Sequence, residues 1–275
     1  MVELSEDRVA AGDGTPLWRR EWRPDGCERA AVLLVHGVGE HLGRYDRHAR
    51  ALADRGLRVR GVDLRGHGRS GGRRGHVRRW ADYAADLDAA AAGLPEPFLL
   101  LAHSMGGLVA LDWLRGRRPR VRALALSSPL LGVGVRAPGW KVVLGRALSR
   151  IAPGVHLPNE LPPEGICSDP EVVRRYLEDP LVFRSITPRW FTEMERALAR
   201  VRAAAPAGRQ PLYLNLAGDE RLVDNEAAEA FAEAWGGPVR RRRWPGLRHE
   251  TLNEPQGGEV LAAIADWFEE QLAAT

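Results

Sequence analysis

The sequence predicts an α/β fold: a mostly parallel central sheet with helices on both faces and an inserted helical lid. Three observations carry that expectation. Apolar runs of strand length, such as Ala30–Val35 and Phe98–Leu101, alternate with segments of helical periodicity, which is the rhythm of βαβ units. These runs are apolar throughout rather than at alternate residues, as strands covered on both faces are. The rhythm then fails over residues 130–207, where Pro138, Pro153, Pro158, Pro162, Pro163, Pro170, Pro180 and Pro188 crowd the chain. So long an interruption reads as an inserted helical lid rather than a structureless loop. The expected organisation is a core of residues 1–129 and 208–275 carrying a lid of residues 130–207.

Taken in order, Val2–Ala10 and Leu17–Trp22 read as two strands joined at Gly12-Asp13-Gly14, a hairpin signal that places an antiparallel edge on the sheet. Ala30–Val35 is a buried strand ended at Gly37. A helix over about Tyr45–Arg55 leads to a strand at Leu57–Val62, and the alanine-rich stretch Trp80–Ala92 is helical. Phe98–Leu101 is the next strand. Leu108, Leu111 and Leu114 are spaced as one helix face, and Val121–Ser127 is again a strand. Within the lid, Pro170–Leu177 reads as a short helix and no clear apolar strand is visible. The core resumes with a strand at Leu212–Ala217, a helix over Asn225–Trp235, a strand at Val239–Trp244 and a closing helix over Val260–Leu272.

Composition narrows the function class. With 275 residues, 44% of them hydrophobic, the chain can bury a large core. No apolar run approaches the roughly 20 residues a membrane span requires, and the start Met1-Val2-Glu3-Leu4-Ser5 lacks the basic and apolar regions of a signal peptide. The expected location is the cytoplasm, with peripheral contact at membranes as a further option. The net charge of +4 and the run Arg240-Arg241-Arg242-Arg243 raise nucleic acid as a partner. Acidic residues are interspersed throughout and no nucleic-acid-binding motif accompanies the arginines, so they read as solvated faces. Cys27 and Cys167 lie far apart without metal-ligand spacing. Neither a metal centre nor a cofactor is expected.

The chemistry gathers at His103-Ser104-Met105-Gly106-Gly107, where a strand turns into a helix. A sharp, strained turn needs small residues two positions on either side of its apex. Ala102 and Gly106 supply them, the pattern of a nucleophile elbow with alanine in the first glycine place. The competing reading is an ordinary serine helix cap. A serine hydroxyl is a weak nucleophile and needs a base, which in turn needs an orienting acid. Both belong on later loops beyond strand ends: Asp219-Glu220 follows Ala217, and His249 follows Trp244. His249 is the expected base. An oxyanion on the attacked carbonyl needs two donors. The candidates are the backbone N–H of Met105 at the helix start and that of Val38, between Gly37 and Gly39.

His36-Gly37-Val38-Gly39-Glu40-His41, Gly43-Arg44-Tyr45, Arg65-Gly66-His67-Gly68-Arg69-Ser70-Gly71-Gly72, the elbow, and Pro245-Gly246 to His249-Glu250 with Asn253-Glu254 together resemble the monoacylglycerol lipase and lysophospholipase group of α/β-hydrolases. The resemblance extends over nearly the whole chain, including Asp169-Pro170-Glu171 to Asp179-Pro180-Leu181 in the lid. It implies Ser104 as nucleophile, His249 as base, and Val38 and Met105 as oxyanion-hole positions. It aligns Glu220 with an acid that is usually aspartate, since Arg221-Leu222-Val223 follows; Asp219 is the alternative. Glu40 and Arg44 match the polar end of the pocket, where the glycerol part of a substrate is handled, and are equally readable as an ion pair bracing the oxyanion loop. The expected activity is serine carboxylic-ester hydrolysis of monoacylglycerol-like lipids through an acyl-enzyme. Lysophospholipase and general carboxylesterase or thioesterase activity are the alternatives, and a non-catalytic binding protein of the same fold is the contrasting one. The expected partner is a lipid-like ester, with transient contact between the lid and a membrane or micelle.

Overall fold

The computed structural model describes residues 1–135, 138–159 and 161–274. Eight strands form one sheet in the order β1 (Glu3–Ala10), β2 (Pro16–Arg23), β4 (Leu57–Val62), β3 (Ala30–Val35), β5 (Phe98–His103), β6 (Val121–Ser127), β9 (Leu212–Ala217), β10 (Val239–Trp244). The β1–β2 hairpin is antiparallel, as its Gly-Asp-Gly turn requires, and β2 also runs antiparallel to β4. Every other pair in this sheet is parallel.

The fully apolar strands are covered on both faces. In β5, Phe98, Leu100 and Ala102 point into the layer built by α2 (Ala81–Ala91), α3 (Met105–Arg117) and α7 (Asn225–Ala234). Leu99 and Leu101 point the other way, toward α1 (Asp46–Ala53) and α8 (Gly257–Ala273). Continuous hydrophobicity in these strands is thus the sum of two alternating faces.

Residues 130–207 run between β6 and β9 and carry α4 (Gly139–Ile151), α5 (Pro170–Glu178) and α6 (Pro188–Ala204). Asp169 caps α5 by accepting from the Glu171 N–H, and proline fills the first helical position, a strong start signal. Helix α6 lays Trp190, Met194, Ala197 and Val201 into the same core as α2 and α3. The segment also holds what sequence periodicity did not reveal, a two-stranded ribbon of β7 (Leu157–Pro158) and β8 (Ser185–Ile186). Strands of two residues are too short to leave a periodic signature.

Candidate active site

Ser104 stands at the carboxyl end of β5, near the middle of the sheet, with φ 50° and ψ −122°. A non-glycine residue at positive φ is strained, and such strain persists only where the surroundings impose it. Here the Ser104 N–H donates to the Ser127 carbonyl at 3.0 Å, and its carbonyl accepts from Gly107 and Leu130, each at 2.9 Å. Gly106 has no alternative at its position: a Cβ there would lie 2.5 Å from the carbonyl oxygens of both Val35 and His36. Ala102, in the place where glycine is usual, is fully buried at the end of β5.

His249, on the loop after β10, brings Nε2 to 2.9 Å from Ser104 Oγ. Its Nδ1 lies 3.0 and 2.9 Å from the two carboxylate oxygens of Glu220, on the loop after β9. A carboxylate only accepts, so Nδ1 carries the proton and Nε2 is free to accept from the serine hydroxyl. Glu220 Oε1 also accepts the backbone N–H groups of Leu222 at 2.9 Å and Val223 at 3.3 Å, which fix the carboxylate in place. Asp219 faces outward instead, 41% exposed against 3% for Glu220, and pairs with Arg221 at 2.7 Å. Of these two neighbours Glu220 reaches the imidazole and Asp219 reaches Arg221.

The electrostatics follow from this geometry. Burial opposes the charge on Glu220, yet the His249 imidazole and the backbone donors hold its carboxyl below the usual carboxylate value. Burial likewise works to lower the pKa of His249, but the charge and hydrogen bond of Glu220, with Glu250 and Glu40 beyond, raise it above the ordinary imidazole value. His103, ring-to-ring with His249 at 4.8 Å, is pushed downward by burial and by that neighbour. Its Nδ1 donates to the Ser127 carbonyl at 3.0 Å.

The loop after β3 passes directly beside the serine. A Cβ on Gly37 would fall 3.1 Å from Ser104 Cβ, and Val38 lines the same cavity as Ser104 and His249. Met105 opens α3, where a helix leaves its first N–H groups without intrahelical partners. Glu40 lies beneath this loop: Oε1 accepts the Gly37 N–H at 2.5 Å and the Tyr45 hydroxyl at 2.7 Å. Arg44 joins Glu40 at 2.9 Å and grips Glu250 with two bonds of 2.6 and 2.7 Å. Burial works against the Arg44 charge, but Glu250 and Glu40 raise its pKa. Arg44 is therefore engaged as a brace between two carboxylates, while Glu40 and Glu250 also face the cavity.

Two features escaped sequence reasoning. Glu250, next to His249, completes the Arg44 brace, and its adjacency to the base was the available signal. A polar knot of Asn215, Ser127, Thr251 and Trp244 lies under the site: Asn215 Nδ2 donates to Thr251 Oγ1 at 2.8 Å, and Trp244 Nε1 donates to Asn215 Oδ1 at 2.6 Å. An asparagine inside the otherwise apolar strand β9 was its signal.

Above Ser104 opens a cavity of about 450 Å³. Its walls are largely apolar, with Leu130, Val142, Leu144, Leu161, Phe191 and Met194 among them. Among the described residues no group of His, Cys, Asp and Glu has the arrangement of a metal site.

An elbow serine joined through an imidazole to a carboxylate, above the carboxyl ends of a mostly parallel sheet, defines the α/β-hydrolase class. Comparisons with known proteins agree. Residues 26–256 match the family described as Serine aminopeptidase, S33. The chain is 32% identical to the monoacylglycerol lipase of Mycolicibacterium smegmatis over 279 aligned positions, covering 96% of each chain. It is 31% identical to phospholipase YtpA of Bacillus subtilis, over 85% of this chain and 93% of that one. The solved structure of Paleococcus ferrophilus monoacylglycerol lipase superposes with a TM-score of 0.84 at 30% identity, over 93% of this chain and 99% of that one. The chain belongs to this family of serine hydrolases and is an enzyme.

Proposed function

We propose that this enzyme hydrolyses the carboxylic ester of monoacylglycerol-like lipids. The observation that carries the reading is the Ser104–His249–Glu220 line opening into an apolar cavity of about 450 Å³. Ser104 Oγ attacks the acyl carbonyl while His249 Nε2 takes its proton; Glu220 holds the imidazole in the required tautomer and stabilises the imidazolium that forms. The oxyanion is met by the backbone N–H groups of Val38 and Met105. Collapse of this intermediate expels the alcohol, which takes the proton from His249 and leaves an acyl-serine. Water then attacks the acyl-serine with His249 as base, releasing the fatty acid and restoring the serine.

Residues 130–207 act as a lid over a core of residues 1–129 and 208–275. What supports this is that α4, β7 and α6 furnish much of the cavity wall, through Val142, Leu144, Leu157 and Phe191. On α4, Val143 and Ile151 lie outside the cavity lining at 67% and 80% exposure, on the same helix as the basic Arg146 and Arg150. Apolar side chains set among cations suit transient contact with a lipid surface. No helix among the described residues is long and apolar enough to cross a membrane. The reading places the enzyme in the cytoplasm, peripheral at membranes.

Lysophospholipid is the second substrate reading, favoured by Lys141 and Arg184, two cations in the cavity wall that suit a phosphate. Peptide substrates are disfavoured. Among the described wall residues the acidic side chains are Glu40 and Glu250, and both are already paired with Arg44 rather than open to an amino-terminal ammonium. The test is labelling by a fluorophosphonate with turnover of monooleoylglycerol, lysophosphatidylcholine and an acyl thioester. The expected result is Ser104-dependent labelling and fastest turnover of monooleoylglycerol; equal labelling of Ser104→Ala overturns the mechanism.

A further inference from the structure

The stretch from Tyr176 to Phe183 meets the cavity wall at Tyr176. It touches the loop after β3 at three separate points. The Phe183 N–H donates to the Gly39 carbonyl at 3.1 Å, and Gly39 has φ +76°, with a Cβ at that position falling 2.5 Å from the Phe183 carbonyl oxygen. Two backbones therefore meet where only glycine fits. His41 Nε2 lies 2.9 Å from Asp179 Oδ2, while its Nδ1 accepts the Gly43 N–H at 3.1 Å, so Nε2 carries the proton and donates to the carboxylate. Tyr176 stacks on the Arg44 guanidinium at 5.0 Å, and Arg44 holds the Glu40 carboxylate that accepts the Gly37 N–H.

The loop so gripped is the one that carries Val38. Its flanking glycines, Gly37 and Gly39, give the backbone the freedom to aim an N–H at the reacting carbonyl. That same freedom makes the aim dependent on outside contacts. Below, Glu40 fixes one side of Val38 through Gly37. From above, Phe183 fixes the other side through Gly39, and Asp179 fixes the loop two residues further on through His41. Asp179 also accepts the Leu181 N–H on Oδ1 at 2.8 Å. One carboxylate thus shapes its own turn with one oxygen and holds His41 with the other. On helix α4, by contrast, Val143 and Ile151 are exposed and lie outside the cavity lining. The inserted segment thus has one part held to the loop after β3 and another that both lines the cavity and exposes apolar side chains.

We infer that Asp179 is a positioning residue for the reaction: through His41, it and the Phe183 backbone hold the Gly37–His41 loop so that the Val38 N–H faces the developing oxyanion. This rests on the hydrolase reading above. Asp179→Asn is the discriminating variant. Asparagine offers one acceptor oxygen where aspartate uses two, so either His41 or the Leu181 N–H loses its partner while size is kept.

The experiment compares wild type, Asp179→Asn and Asp179→Ala on a soluble short-chain ester. It measures kcat, KM, the melting temperature, and the affinity of an alkyl trifluoromethyl ketone, whose adduct with serine bears an oxyanion. The expected result is a kcat lower by about tenfold, with KM within about twofold. Ketone affinity falls by the same factor as kcat, and the melting temperature of Asp179→Asn stays close to that of wild type. A folded Asp179→Asn enzyme with unchanged kcat and ketone affinity overturns the inference, as does a rise in KM alone, which would assign the contact to substrate entry. If Asp179→Ala fails to fold, the asparagine variant still decides. Wild-type protein that neither labels at Ser104 nor turns over the ester overturns the hydrolase reading itself, an outcome distinct from the others.

Discussion

Glu220 sets both of its carboxylate oxygens within 3.0 Å of His249 Nδ1, although its neighbour Asp219 is the residue type the family resemblance leads one to expect. The longer side chain reaches inward from a loop whose N–H groups at Leu222 and Val223 receive its Oε1. Replacing Glu220 by glutamine keeps the shape but allows the wrong imidazole tautomer; by analogy with serine proteases, kcat should fall by roughly 10⁴-fold. Asp219→Asn should leave kcat within about twofold, since among the described residues the Asp219 carboxylate pairs with Arg221 and Arg248 and not with His249. Steady-state kinetics on one soluble ester separates the two, and a larger loss at position 219 would reverse the assignment.

The pH profile follows from the direction of the His249 shift. In the proposed mechanism His249 acts as a base and must be neutral, so the rising limb of kcat/KM should lie above pH 6.5, the ordinary imidazole value. In Glu220→Gln the main opposing charge is gone, burial prevails, and the limb should move to lower pH. The folded-state pKa of this histidine is raised, so its contribution to stability is full below pH 6.5 and is lost as pH rises through the folded value. A kcat/KM titration of both proteins is the check, and a limb that stays in place would show that Glu220 does not set it.

Arg44 lies between the buried Glu40 and Glu250, its own side chain 10% exposed. Arg44→Met would leave two buried carboxylates without a cation. Removing one partner of a buried ion pair costs about 3–5 kcal/mol. Chemical denaturation should register a loss of that order, together with a lower kcat, because Glu40 also holds the Gly37 N–H.

Gly106→Ala tests the elbow. The added methyl would lie 2.5 Å from two carbonyl oxygens that belong to β3 and the residue after it, where neither can retreat without disturbing the sheet. Overpacking of this kind costs about 1–3 kcal/mol. Ala102→Gly, which restores the commoner residue, should preserve activity. Thermal melts with fluorophosphonate labelling report both effects.

Val143→Ser and Ile151→Ser probe the exposed face of α4. Neither side chain lines the cavity, so turnover of a soluble short-chain ester should be unchanged. Sedimentation with vesicles containing anionic phospholipid should fall, and the apparent KM for dispersed monooleoylglycerol should rise several-fold. Unaltered vesicle binding would remove the lipid-surface role from this helix.

The sequence by itself determined the sheet, the hairpin edge, the helices of the core with α5 alone of the three described helices in residues 130–207, and the loops that carry Ser104, His249 and the two candidate acids. Those features are local: apolar periodicity, glycine turns and small residues around an elbow are written in neighbouring positions. It also narrowed the acid to two adjacent residues and left Glu40 and Arg44 between two readings. Only the tertiary structure sets the contacts these side chains make. Which of Asp219 and Glu220 meets His249 depends on how the loop after β9 faces the loop after β10, and Arg44 became a brace because Glu250, 206 residues away in sequence, closes on it. The clamp of Asp179 and Phe183 on the Val38 loop is of the same kind. Its partners are joined by the folding of an inserted segment over the sheet, a long-range contact that no local pattern encodes.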